Sequence, residues 1–174
     1  MSEALERLNG LPHEAVEAEL LKCCGSTLWA RRMAEKRPFH DLPELLAKAD
    51  AEWWALDAED WLEAFSRHPK IGEKKSERAQ AADAQQWSEQ EQAGTRTADD
   101  ETKQQLAAAN REYESKFGHI YIVCATGKTA AEMLSLCHER LGNDPGDELR
   151  VAAEEQRRIM HLRLQKLLIK ESGV

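Results

Sequence analysis

The chain has 174 residues, with 24 Lys and Arg against 32 Asp and Glu, a formal net charge of −8. That length predicts one domain, spanning 1–174, with a core of its own, and the acidic balance argues against a nucleic-acid partner and against a basic protein that binds a membrane surface. Ala, Glu, Leu, Lys and Arg dominate while Gly and Pro are few, a mix that leans helical, and no apolar run approaches the roughly 18 residues of a membrane span.

Residues 12–23 read as a helix entered at Pro12. Ser26 is placed to cap a second helix carrying Leu28, Trp29 and Met33, ended by Arg37-Pro38 because the residue before proline avoids the helical region. A third helix is predicted from about Asp41 to Ala55, and Asp57 caps a fourth with Trp61, Leu62 and Phe65 on one face, stopped by His68-Pro69. Residues 69–87 are polar and weakly patterned, a loop or a solvated helix; 88–94 form a short helix bounded by Gly94. Thr97 is the expected cap of a long polar helix to about Lys116, with Leu106, Asn110, Tyr113 and Phe117 near one side and Gly118 as its stop. The apolar run 120–125 has no strand to pair with and is expected to be buried, non-sheet backbone. Residues 128–141 place Ala130, Met133, Leu134, Cys137 and Leu141 on one face, and a last helix covers about 145–170. The expected fold is therefore an all-α, single-domain bundle of about seven to nine helices with one short buried non-helical apolar segment.

Several chemical motifs fail on inspection. Ala125-Thr126-Gly127-Lys128-Thr129 resembles the end of a phosphate loop, but Ile122 stands where that motif needs glycine, so a glycine turn before a helix is the better account. His138-Glu139 does not continue into H-E-x-x-H, and there is no G-x-S-x-G elbow. The four cysteines, at 23, 24, 124 and 137, form no C-x-x-C and are expected as buried packing residues. The N-terminus lacks a basic then apolar leader and ESGV is no targeting signal, so the expected setting is the cytoplasm.

Three features remain. Pro69 holds His68 in an extended conformation at a helix end, projecting an imidazole as a general acid–base requires, although a capping or surface histidine fits the same pattern. Ser88-x-x-Glu91-Gln92 reads structurally as a capping box and functionally as a helix start aiming polar groups at a ligand. Arg163 falls inside the apolar stripe of the last helix, where it must reach the edge or meet an anion, internal or bound.

Together these residues resemble the 2-oxo-4-hydroxy-4-carboxy-5-ureidoimidazoline (OHCU) decarboxylase family, which acts at the end of the urate-to-allantoin route. The resemblance runs through Ser26, Trp29 and Arg37-Pro38-Phe39, His68-Pro69-Lys70-Ile71-Gly72 and Ser88-x-x-Glu91-Gln92-x-Gly94. It continues through Asn110-x-x-Tyr113-x-x-Lys116-Phe117-Gly118, Ile122-x-Cys124-Ala125-x-Gly127-Lys128 and Arg163-Leu164. It implies an all-α homodimer that needs no cofactor and no metal. His68 and Glu91 would be the catalytic pair. Pro69, Ser88, Gln92 and Arg163 would bind substrate, as would Phe117, Gly118, His119, Ile120, Tyr121 and Ile122, chiefly through backbone amides. His119 and Tyr121 stand where more apolar residues are expected, which would alter the polarity of the pocket.

The implied reaction is stereoselective loss of CO₂ to give (S)-allantoin, the electrons left behind being held as an enolate. The alternatives are a non-enzymatic helical homodimer that binds a small ureide-like anion, or a different ureide-processing lyase or hydrolase. The net charge also hides two basic islands, +3 over residues 67–78 and +4 over 150–170, which contain His68 and Arg163. If they converge, an acidic protein can still attract a small anion.

Overall fold

A computed structural model describes residues 2–73 and 81–170. Nine α-helices and one 3-10 turn account for most of them, with no β-strand among the described residues. The helices are α1 Glu3–Gly10, α2 His13–Cys23, α3 Thr27–Glu35, α4 Leu42–Trp54, α5 Ala58–Ser66, α6 Ala82–Glu91, α7 Asp100–Phe117, α8 Ala130–Arg140 and α9 Pro145–Lys170; the 3-10 turn is Ala93–Thr95. The all-α expectation therefore holds. None of these helices is long and apolar enough to cross a membrane.

Local capping chemistry sets many of the boundaries. The Ser26 hydroxyl accepts from the Trp29 amide at 3.2 Å, Asp41 caps α4 through Glu44, and Thr129 caps α8 through Glu132. Gly118 closes α7 in the left-handed region, φ +79°, where a side chain would be strained. Three expectations need correction. α1 was not foreseen, although Ser2 caps it and Ala4, Leu5 and Leu8 bury one face. α7 is capped by Asp99, whose carboxylate accepts from the Thr102 amide at 2.7 Å, and not by Thr97, whose hydroxyl instead meets the Gly94 carbonyl. An anion satisfies a helix N-terminus better than a hydroxyl does. The third correction concerns Ser88. α6 begins at Ala82, so Ser88 lies well inside the helix and donates to the Ala84 carbonyl at 3.0 Å. Good helix formers upstream and the buried Ala84 and Trp87 carry the helix back past the apparent cap. Of the stretch 69–87, residues 82–87 are thus helical; 74–80, which include Lys74, Lys75 and Arg78 of the first basic island, lie outside the described residues.

The chain divides into two compact units, one made of residues up to Ala64 with the chain from Arg157, the other of Phe65–Gln156. The first buries Leu8, Leu20, Trp29, Met33, Phe39, Trp53 and Leu164. Its Arg37-Pro38-Phe39 turn is structural: Asn9 exchanges two hydrogen bonds with the Phe39 backbone at 2.8 and 2.9 Å, and Arg37 Nη1 donates to the Asn9 and Leu11 carbonyls.

The second unit buries Leu106, Tyr113, Tyr121, Val123, Met133 and Cys137. Its apolar segment 120–125 is buried throughout and non-helical, as expected. A buried ion pair supports it. Glu148, fully inaccessible, accepts from the Tyr113 hydroxyl at 2.5 Å, from Arg140 Nε at 2.7 Å and from Asn143 at 2.9 Å. Arg140 Nη1 in turn donates to the Ile122 carbonyl at 2.7 Å, and its guanidinium lies 4.9 Å from the Tyr121 ring centre.

Candidate functional site

Nearly all the residues singled out from the sequence fall in the second unit. His68 leaves α5 with its amide bonded to the Phe65 carbonyl at 3.1 Å, and is 8% exposed. Its Nε2 lies 2.6 Å from Oε1 of Gln156, a fully buried residue on α9. Pro69 beside it is buried.

The loop after Pro69 is held from two helices. Asn110 of α7 donates to the Ile71 carbonyl at 3.0 Å, and Gln92, the C-cap just after α6, accepts from the Gly72 amide at 2.9 Å. Lys70 pairs with Glu114 at 3.0 Å. Gly72 itself has φ +92°, a conformation glycine adopts without strain. Two motifs far apart in sequence are thus tied through backbone groups.

Glu91 is the last residue of α6 and 8% exposed; its charge is felt at the buried Cys124 thiol. Ser88 lies one turn earlier, 3% exposed. These groups leave the C-terminal end of a helix and not its start, which corrects the ligand-facing geometry expected from the S-x-x-E pattern. Beyond them, a Cβ on Gly94 would stand 2.1 Å from the Lys128 carbonyl oxygen. Gly94→Ala is therefore expected to destabilise the protein by about 1–3 kcal/mol, since the obstacle is backbone. An unchanged urea midpoint would show that the turn moves aside freely.

The segment 117–122 flanks the end of α5. The His119 ring sits 5.4 Å from Phe65 and 5.5 Å from Tyr113. Burial pushes its pKa below the usual imidazole value, so at neutral pH His119 is uncharged. The Tyr121 hydroxyl donates to the Met133 carbonyl at 2.9 Å, and burial raises its pKa. Its polarity is used internally. Among the described residues, the amides of Ile120, Tyr121, Ile122 and Val123 meet no backbone carbonyl.

Arg163 belongs to the first unit. It is 3% exposed, and its Nη1 donates to the Lys22 carbonyl in the last turn of α2 at 3.1 Å. A guanidinium suits the carbonyl end of a helix.

The cysteines are free and buried, with thiol pKa values raised by burial, to about 12 for Cys24 and about 11 for Cys137. The glycine turn before α8 is confirmed by Gly127 at φ +77°. Among the described residues no group of three or more His, Cys, Asp or Glu side chains is placed to hold a metal. A cavity of about 400 Å³ opens beside the loop, lined in part by Lys70, Gly72, Thr95, Lys103 and Asn110, and by neither His68 nor Glu91.

The family model of OHCU decarboxylase matches residues 9–165. The chain belongs to that family. The "uric acid degradation bifunctional protein TTL" of Arabidopsis thaliana is 37% identical over 161 residues, covering 92% of this chain and 50% of that protein. The "2-oxo-4-hydroxy-4-carboxy-5-ureidoimidazoline decarboxylase" of Amia calva is 34% identical over 101 residues, 58% of this chain and 57% of that protein. The chain spans about half the length of these curated relatives. A crystal structure of OHCU decarboxylase in the presence of (S)-allantoin superposes with a TM-score of 0.74 at 38% identity, covering 87% of this chain and 97% of that one.

Sequence reasoning missed two residues of the OHCU decarboxylase fold described here, Glu148 and Gln156. Both carried a signal. Glu148, Ala152, Gln156, Met160 and Leu164 recur every four residues along α9, and all five are fully buried. The stripe argument that singled out Arg163 applies equally to these two polar members.

Proposed function

We propose that this chain catalyses cofactor-independent, stereoselective decarboxylation of OHCU to (S)-allantoin in urate degradation, acting as a cytoplasmic homodimer whose single domain spans the whole chain. The observation that carries this reading is a histidine and a carboxylate, each 8% exposed, in the unit that also holds a buried segment of unladdered amides. Family membership supplies the substrate class.

In the substrate, the C–COO⁻ bond breaks and its electron pair stays on the ring as an enolate while CO₂ leaves. A proton then adds to one face of the neighbouring carbon, and the 4-hydroxyl becomes a carbonyl. The protein must hold the carboxylate out of the ring plane, stabilise the enolate and exclude one face. His68 is assigned acid–base work at the reacting carbon, and Glu91 a hydrogen bond that orients substrate or imidazole. Pro69, Ser88 and Gln92 line the ring and ureido side, where Gln92 keeps its amide N–H₂ for substrate while its oxygen holds Gly72. Buried amides need acceptors. Those of Ile120, Tyr121 and Ile122 suit the ureido oxygens, whereas Phe117 lies inside α7 and the Gly118 amide is already given to the Glu114 carbonyl at 2.8 Å, so these two and His119 contribute only by shaping that side of the pocket.

Circular dichroism on freshly generated OHCU tests the reading. One allantoin enantiomer should appear faster than in the blank. Racemic product at the blank rate would favour an anion-binding homodimer, and a new nitrogenous product another ureide-processing enzyme.

A further inference from the structure

Gln156 is a costly residue to place on α9. It is fully buried, one turn from Ala152 and one from Met160, where an apolar side chain would pack without polar groups to satisfy. Its amide nitrogen is buried and meets no hydrogen-bond partner among the described residues. Only its oxygen is used, 2.6 Å from Nε2 of His68. The side chain therefore contributes little to stability through its own hydrogen bonds.

An amide oxygen accepts and cannot donate. The imidazole nitrogen facing it must then carry the proton, which leaves the lone pair of the neutral ring on Nδ1. We propose that Gln156 is a positioning residue that fixes His68 as the Nε2–H tautomer, so that Nδ1 is the nitrogen that exchanges a proton with substrate. This rests on the assignment of His68 as the acid–base group and adds which nitrogen does the work and what decides it. A carboxylate at the same place would orient the ring equally well but would stabilise its charged form. A neutral amide orients it without that bias.

The test is long-range ¹H–¹⁵N correlation on the His68 ring in the full chain at a pH where the ring is neutral, with Gln156→Met as the near-isosteric variant. The native protein is expected to give the pattern of a single Nε2–H tautomer. Gln156→Met should give an averaged pattern, with thermal stability unchanged or higher. Its kcat should fall by roughly tenfold or more, part of the 10²–10⁴ that a positioned acid–base supplies, with little change in KM. A native ring in the Nδ1–H form overturns the proposal without any variant being made. So does an unaltered single tautomer in Gln156→Met. If the native protein forms no allantoin but the ring is held as Nε2–H, the catalytic assignment falls and the positioning role stands.

Discussion

His68→Asn should lower kcat for OHCU decarboxylation by about 10²–10⁴-fold, the range attached to a positioned general acid–base. Asparagine keeps a polar group at this buried position but carries no titratable proton near neutral pH. The helical circular dichroism should be unchanged, because the amide of residue 68 already bonds the Phe65 carbonyl and Pro69 follows in either protein. The product that still forms should lose its optical purity, since protonation would revert to solvent. Glu91→Gln combined with His68→Asn should cost far less than the product of the two single losses if the pair works as a unit. Near-normal turnover in His68→Asn would remove the histidine from the mechanism.

The largest effect on stability is expected from Glu148→Leu, a loss of about 3–5 kcal/mol. Burial opposes the charge on Arg140, and the hydrogen bonds and charge of Glu148 more than offset this, leaving its pKa raised. Taking the carboxylate away leaves a guanidinium in the core beside the Ile122 carbonyl, the Tyr113 hydroxyl and aromatic faces, with no opposite charge among these partners. For a chain of this size each kcal/mol moves Tm by about 2–4 °C. Thermal unfolding reads the change. The double variant Arg140→Met with Glu148→Leu should regain much of the loss, because no uncompensated charge remains. A Glu148→Leu protein with native Tm would mean that Arg140 finds another anion.

Local chemistry made much of the fold legible. Ser26, Asp41 and Gly118 act over a few residues, and each ends or begins a helix where the sequence indicates. The S-x-x-E pattern misled because a serine three residues before a glutamate is spelled alike at a helix start and within a helix. What distinguishes the two is whether the upstream residues also fold, and here Ala84 and Trp87 are buried and extend α6 backwards. Thr97 lost its capping role for a related reason, since Asp99 offers a charge to the same helix two residues later.

The candidate site was legible as a set of residue types and not as a set of contacts. The Gly72–Gln92 and Ile71–Asn110 bonds join positions 20 and 39 residues apart, and periodicity within one helix says nothing of such pairs. Glu148 and Gln156 were visible as polar members of an apolar stripe, but their partners, Arg140 and His68, depend on the tertiary fold. The Arg37-Pro38-Phe39 element is the converse case. The sequence marks it only as a helix stop, and in this unit it also clamps a turn through Asn9.

The amides of residues 120–123 have a consequence for how this protein can change. Recognition through backbone N–H groups does not depend on which side chains hang from that backbone. Residues there can exchange for others of similar volume without altering the donors offered, provided Arg140 still holds the Ile122 carbonyl. Proline alone would delete a donor outright. Specificity written in this way is nearly silent in the side-chain alphabet, and it is edited most sharply by a single imino acid.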